Sequence, residues 1–298
     1  MKKLAETTPN QPVKPPSPFV ENFKTVFKKL KRNKAAMIGG YMIIFFILVS
    51  IFGPMLTVHP VTTPDLTNRF ASPSAEHWFG TDNFGRDIFT RIVHGMSITL
   101  MIGFMSVAIG AFFGVLIGVI SGYYGKKIDA VLMRLMDILL AFPGILLALA
   151  IVTVLGGSLQ NVIIAVAIFS IPVFARIVRG STLAVRKLEY VDAVRALGAT
   201  DVRIIFRHIL PNIMSPIIVQ ATLHTATAVL TASALSYLGL GAQPPMPEWG
   251  AMLSDGRAYM WDSIHLTLFP GLAIVAVVLA FNIFGDGLRD AFDPKLKD

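Results

Sequence analysis

The chain has no cysteine among its 298 residues. That excludes disulfides and thiolate metal ligands, and it leaves the compartment open. Charge is scarce as well: 15% of the residues are Asp, Glu, Lys or Arg against 54% hydrophobic, and the mean hydropathy is +0.66. Soluble domains run to about 25% charged, so that class is excluded. Catalytic signatures are missing too. The nearest approach to a phosphate-binding G-x-x-x-x-G-K-[ST] is Gly122-Tyr123-Tyr124-Gly125-Lys126-Lys127, which fails on spacing. There is no H-E-x-x-H and no G-x-S-x-G, and the six histidines are scattered and unpaired in sequence. Such a chain is not expected to bind and spend ATP by itself, nor to assemble a reaction centre or metal site.

What it does have is six apolar runs, at about 35–56, 98–120, 131–155, 162–178, 213–238 and 264–285. A helix needs about 20 such residues to cross a bilayer core. The expected fold class is therefore an all-α integral membrane protein with six transmembrane helices. The first run starts too late and is too long for the apolar part of a signal peptide, so it is expected to remain as an anchor. Before it lies a basic, Pro-rich start, expected to be disordered, and then a short basic amphipathic helix over 19–34.

Basic residues give the orientation. With the N-terminus in the cytoplasm and six crossings, the inner stretches hold 22 Lys and Arg and the outer ones only Arg69, Arg86, Arg91 and Arg257. Both termini are then cytoplasmic. The net charge of +8 follows from this topology, and no nucleic-acid partner is needed to explain it.

The longest polar insertion, 179–211, falls on the cytoplasmic side. It reads as helix, break, helix. Ser181 can cap the first helix, Gly198 can end it in a left-handed conformation, and Asp201 can cap the second. Val202, Ile205, Phe206 and Ile209 then share one face, Arg203 and Arg207 the other, and Pro211 closes the unit. Periodicity alone leaves two readings open: a basic helix lying on anionic lipid, or a knob that touches a protein.

Spacing separates them. Asp192-Ala193-Val194, three residues, Gly198, nine residues, then His208-Ile209-Leu210-Pro211 resembles the Glu-Ala-Ala loop of bacterial ABC importer permeases. Ala193, Gly198, Leu210 and Pro211 match that pattern, while Asp192 stands for Glu, Val194 for the second Ala and His208 for Ile. In that family the loop is a coupling helix seated in a cleft of a separate ATPase. The resemblance assigns this contact to Glu189, Asp192, Ala193, Gly198, Ala199, Leu210 and Pro211. Three more strings resemble the peptide-importer subgroup: 77–87 (HWFGTDNFGRD), 239–250 (GLGAQPPMPEWG) and the tail from Phe284.

The resemblance covers about residues 20–298 and implies a type I ABC importer permease. It divides the chain into a cytoplasmic basic tail (1–34), a first helix with an extracytoplasmic loop (35–96), a five-helix core (97–288) and a C-terminal tail (289–298). It also implies a bacterial inner-membrane location in contact with lipid. The implied partners are ATPase subunits, a second homologous permease chain and an extracytoplasmic binding protein. The chain would hold no cofactor, since ATP and Mg would sit on the partner. Short peptides, glutathione-like tripeptides included, are the implied cargo, with nickel or another chelated metal as the alternative.

Several features have plain structural expectations. Asp82 or Asp87 can cap the second span, and Arg86 reads as part of an exposed turn. Ser106, Gly110, Gly114, Gly118 and Gly122 recur every fourth position and suit close helix packing. Arg134 with Asp137, and Asp286 with Arg289, stand at i, i+3 near the cytoplasmic face. Pro143 and Gly144 suit a kink in the third span, as Pro172 does in the fourth. Trp249 and Trp261 suit the membrane interface. The fifth span, rich in small and hydroxyl residues, is expected to face the interior, either as packed protein or along a path lined by Gln220, His224, Thr227 and Thr231. An ion-driven secondary transporter would need charge at the midplane and an internal repeat, and neither is evident.

Overall fold

The computed structural model describes residues 26–292. The expected Pro-rich start, the first part of the basic helix, and Lys295 and Lys297 lie outside the described residues. Among those residues there is no strand, and the elements are α1 (Lys34–Leu56), α2 (Ile88–Tyr124), α3 (Lys126–Leu140), α4 (Gly144–Leu155), α5 (Leu159–Arg186), α6 (Glu189–Ala196), α7 (Asp201–Ile204), α8 (Met214–Tyr237), α9 (Trp249–Gly256) and α10 (His265–Phe292). Among the described residues, five stretches are long and apolar enough to cross a membrane: α1, α2, α5, α10 and the run from α7 through α8. The pair α3 and α4 makes a sixth crossing only if taken together, because the two are bent by 87° at their junction.

That bend corrects the expected third span. Pro143 begins α4 without a side-chain cap, and a Cβ on Gly144 would stand 2.1 Å from the Phe169 ring. The break is therefore filled by an aromatic ring of α5, and it is a corner rather than a kink. Pro172, by contrast, lies inside the unbroken α5.

The second span is much longer than its apolar run. Its 37 residues reach about 55 Å at 1.5 Å per residue, from Asp87 at one end of the bundle to the polar loop at the other. Asp87 is the cap, and its Oδ1 accepts from the Thr90 N–H at 2.7 Å. The small-residue stripe packs on α5 as expected. Cβ atoms on Gly110, Gly114 and Gly118 would come within 2.5 Å of Ser170 Cβ, 2.5 Å of Phe174 Cβ and 2.6 Å of the Ala175 carbonyl. In lipid, where no hydrophobic force drives helices together, such backbone approach supplies the dispersion contacts that hold them. Gly114→Val is predicted to cost at least about 1–3 kcal/mol, because Phe174 and the Ile171 carbonyl cannot both retreat. A lower melting temperature of the purified variant checks this.

α8 lies inside the bundle, as expected, with His224, Thr225, Ser233 and Ser236 buried. α1 sits on the outside against α10: Gly39 would place a Cβ 2.8 Å from the Phe284 N–H nitrogen. Residues 26–32 form a helical turn, and Leu30 packs with Leu288 and Ala291 at the end of α10.

Four local expectations fail. Arg86 is 5% exposed, so the turn is not a surface one; its Nε donates to Asp82 at 2.7 Å, and Arg91 lies 3.5 Å from the same carboxylate. Asp137 pairs with Arg176 of α5 at 2.8 Å rather than with Arg134. Trp249 is fully buried and donates Nε1–H to the Ile92 carbonyl at 3.0 Å, while Trp261 is 90% exposed. And two histidines far apart in sequence meet, since the His59 and His77 rings lie 4.6 Å apart.

Candidate functional site

The polar loop forms one compact unit at the end of α2 and α5. α5 runs on to Arg186, so Ser181 is inside it, donating to the Ile177 carbonyl, and caps nothing. The first helix of the unit is α6, which begins at Glu189. Gly198 follows it at φ +81°, with its N–H donating to the Arg195 carbonyl at 2.9 Å. This is the left-handed residue expected just past a helix end. Thr200, not Asp201, caps α7: its hydroxyl accepts from the Arg203 N–H. Asp201 is used otherwise, accepting from the Tyr123 hydroxyl of α2 at 2.6 Å.

After α7 the backbone widens into a π turn, Ile205–Ile209, and then tightens into a 3-10 turn, Leu210–Ile213, that leads straight into α8. Pro211 therefore does not close the unit. It has no N–H to give, and the altered turns around it let the helix pass without that bond. The π turn adds a residue to the repeat, so the buried face steps through Ile204, Ile209 and Ile213 rather than through Val202 and Phe206. These three isoleucines pack with Val191 of α6 and with Val119, Tyr123 and Val178.

Polar contacts lock the same base. Arg186 and Arg195 both place a guanidinium 5.9 Å from the Tyr123 ring centre. The Asn212 amide donates to the His208 carbonyl at 2.7 Å and to the Tyr190 hydroxyl at 3.1 Å. Arg179 forks onto Asp129 of α3, with Nη2 donating at 2.6 Å, and the Ser121 hydroxyl donates to the same carboxylate. The loop is thus fixed to α2 and α5, and α3 is tied in turn to those two helices.

The opposite surface is apolar and open. Val202 and Phe206, one turn apart, are each 64% exposed, and Leu197 is 86% exposed. Glu189, Asp192, Ala193, Gly198 and Pro211 are exposed beside them, whereas Ala199 and Leu210 are half-buried against the base. Asp192 is ion-paired with Arg195 at 2.8 Å, at the surface. Sequence reasoning missed Tyr123, Val191, Ile204 and Asn212, since nothing in their spacing announces a π turn.

The four polar residues singled out on α8 fall in different surroundings. His224 is buried between Phe169 and Phe174, and its Nε2 lies 2.8 Å from the Ser170 hydroxyl. That hydroxyl donates to the Val166 carbonyl, so His224 Nε2 is the donor of the pair. Gln220 is half-buried beside an open hollow of about 480 Å³ that Leu223, Arg289 and Phe292 also line. Thr227 is exposed and Thr231 half-buried. At the far end of the bundle Glu248 is fully buried and caps α9, accepting from the Gly250 and Ala251 N–H groups at 3.0 and 2.8 Å. Burial pushes its carboxyl above the usual carboxylate range, and those two N–H groups pull against it.

Comparison with known proteins gives this architecture a family. Residues 114–298 match the family described as binding-protein-dependent transport system inner membrane component. Residues 22–73 match the N-terminal TM domain of oligopeptide transport permease C. The chain is 52% identical to a dipeptide transport system permease protein of Alkalihalophilus pseudofirmus, over 99% of this chain and 98% of that one. It is 46% identical to a glutathione transport system permease protein of Pectobacterium atrosepticum, over 92% of each. Among solved structures it is similar to the inward-facing MetNI methionine ABC transporter, at a TM-score of 0.56 and 22% identity, over 68% of this chain and 97% of that one. The fold is that of a type I ABC importer permease, and the chain belongs to the family of binding-protein-dependent transport system inner membrane components.

Proposed function

We propose that this chain moves short peptides, dipeptides or a glutathione-like tripeptide, into the bacterial cytoplasm, driven by ATP hydrolysis on separate ATPase subunits. The observation that carries the coupling half is the two-sided loop. Its base is locked to α2 and α5, and its other side presents Leu197, Val202 and Phe206 to solvent. An exposed apolar patch rimmed by polar groups fits a protein interface better than it fits water. A partner that grips this patch and shifts on closing over ATP would carry the loop as a rigid body and rock the bundle between inward- and outward-open states. Glu189, Asp192, Ala193 and Gly198 rim the grip, and Leu210 and Pro211 set its angle.

The cargo half is supported by the relatives, whose names favour a peptide over a chelated metal. In this reading a second, homologous permease chain completes the pathway, and an extracytoplasmic binding protein delivers the peptide. The α8 surface around Gln220, Thr227 and Thr231 is the stretch of path this chain supplies, with His224 fixing α8 to α5. Both termini and the loop are cytoplasmic, as the basic residues indicate. ATP and Mg sit on the partner subunits and not on this chain.

Uptake of a radiolabelled dipeptide by cells making the chain with its partners tests the cargo. Unlabelled dipeptide and glutathione are expected to compete for it, and free nickel is not. Competition by nickel alone would overturn the peptide reading.

A further inference from the structure

We propose that His59, His77 and Asp87 form a binding site for a divalent transition-metal ion of the zinc class, which ties the segment leaving α1 to the start of α2. One nitrogen of each imidazole and one oxygen of Asp87 all lie within 4.8 Å of one another. A tetrahedral ion with bonds of about 2.0–2.1 Å spaces its ligands about 3.4 Å apart, so the group must close by at most about 1.4 Å. His77 Nδ1 and Asp87 Oδ2 already stand 3.0 Å apart. An ion would displace the proton these two share and open them by about 0.4 Å, while the His59 ring, held by a 3.0 Å contact with the Glu76 carbonyl and tilted against His77, closes on them.

The surroundings suit a cation. Asp87 is fixed by its capping bond from the Thr90 N–H to Oδ1, which leaves Oδ2 for the side where His77 lies. The side chains of His77 and Asp87 are 12% and 2% exposed, so neither spends its ligand atoms on bulk water. A hollow of about 380 Å³, lined in part by Thr57, His59, Glu76 and Asp87, gives entry and room for a water as fourth ligand. No Lys or Arg lines it. Two imidazoles and one carboxylate are the donor set of zinc and its neighbours; magnesium and calcium prefer oxygen alone. A bare His77–Asp87 hydrogen bond would account for the orientation of Asp87, but it does not account for the second imidazole, His59, tilted against His77 at 4.6 Å between ring centres.

Placement gives the site its consequence. His59 follows α1, whereas His77 and Asp87 precede and cap α2. An ion here would clamp the first helix to the core at the end of the bundle opposite the coupling loop. The test uses the full-length chain in lipid nanodiscs, with Co²⁺ as a coloured probe and Zn²⁺ as its competitor. The wild type is expected to bind one Co²⁺ with visible d–d absorption that Zn²⁺ removes. His59→Gln and His77→Gln should each weaken binding by about tenfold or more. Zn²⁺ should also raise the melting temperature of the wild type and not that of the double variant. Unchanged Co²⁺ affinity in His59→Gln, or no saturable binding by the wild type, overturns the site. His59 caps no helix, so its variant decides the matter even if His77→Gln does not fold.

Discussion

Gly198→Pro is expected to lower ATP-driven uptake by more than about tenfold while the chain still inserts and still forms its bundle. The reason is local geometry. Gly198 stands at φ +81°, and its N–H donates to the Arg195 carbonyl at 2.9 Å. Proline holds φ near about −65° and has no N–H, so it can reproduce neither the turn nor the bond. The turn sets the angle between α6 and α7, and hence whether Leu197 and Phe206 form one surface. Gly198→Ala is a graded control. A Cβ there would meet nothing within 4 Å, so alanine faces only the backbone cost of a left-handed residue, about 1–2 kcal/mol. Uptake should fall in the order Gly, Ala, Pro, at equal amounts of chain in the membrane. Full uptake by the proline variant would remove the loop from the mechanism.

Phe206→Asp is expected to weaken ATPase attachment by at least about thirtyfold, the equivalent of about 2 kcal/mol for an aromatic anchor at the heart of an interface. The side chain is 64% exposed in this chain, so its removal opens no cavity in the bundle. The ring therefore contributes nothing to folding that a carboxylate would destroy. In a closed interface, however, that carboxylate would be stripped of water without a partner. Co-purification from detergent extract reads the loss directly, with melting temperature as the control for folding. A drop in melting temperature with attachment intact would place Phe206 in the core and overturn its assignment.

Much of this was legible in the sequence, for reasons that particular residues make plain. Length and hydropathy gave the spans because a bilayer imposes a minimum apolar run, and the α2 stripe gave its packing face because every fourth residue lies on one side of a helix. Gly198 and Asp87 were readable because helix ends demand a left-handed residue and an N–H acceptor. What could not be read depended on neighbours remote in sequence. The π turn at Ile205–Ile209 shifts the buried face, and a 3.6-residue repeat cannot foresee it. Asp137 chose Arg176 over Arg134, and Trp249 left the interface for a carbonyl of α2. The corner at Pro143 needs Phe169 to fill it, and that ring lies on α5. The histidine pair at 59 and 77 joins residues either side of a loop that carries no repeat.

One measurement tests the coupling role most directly, and the absence of cysteine makes it clean. A single cysteine at Val202, carrying a short thiol-reactive crosslinker, is compared with one at Trp261, which is 90% exposed in the turn before α10, outside the 189–211 loop. The Val202→Cys chain is expected to give a covalent adduct with the co-purifying ATPase subunit, and the Trp261→Cys chain none. An adduct from position 261, or none from 202 in a complex still active in uptake, would show that the ATPase does not grip this loop.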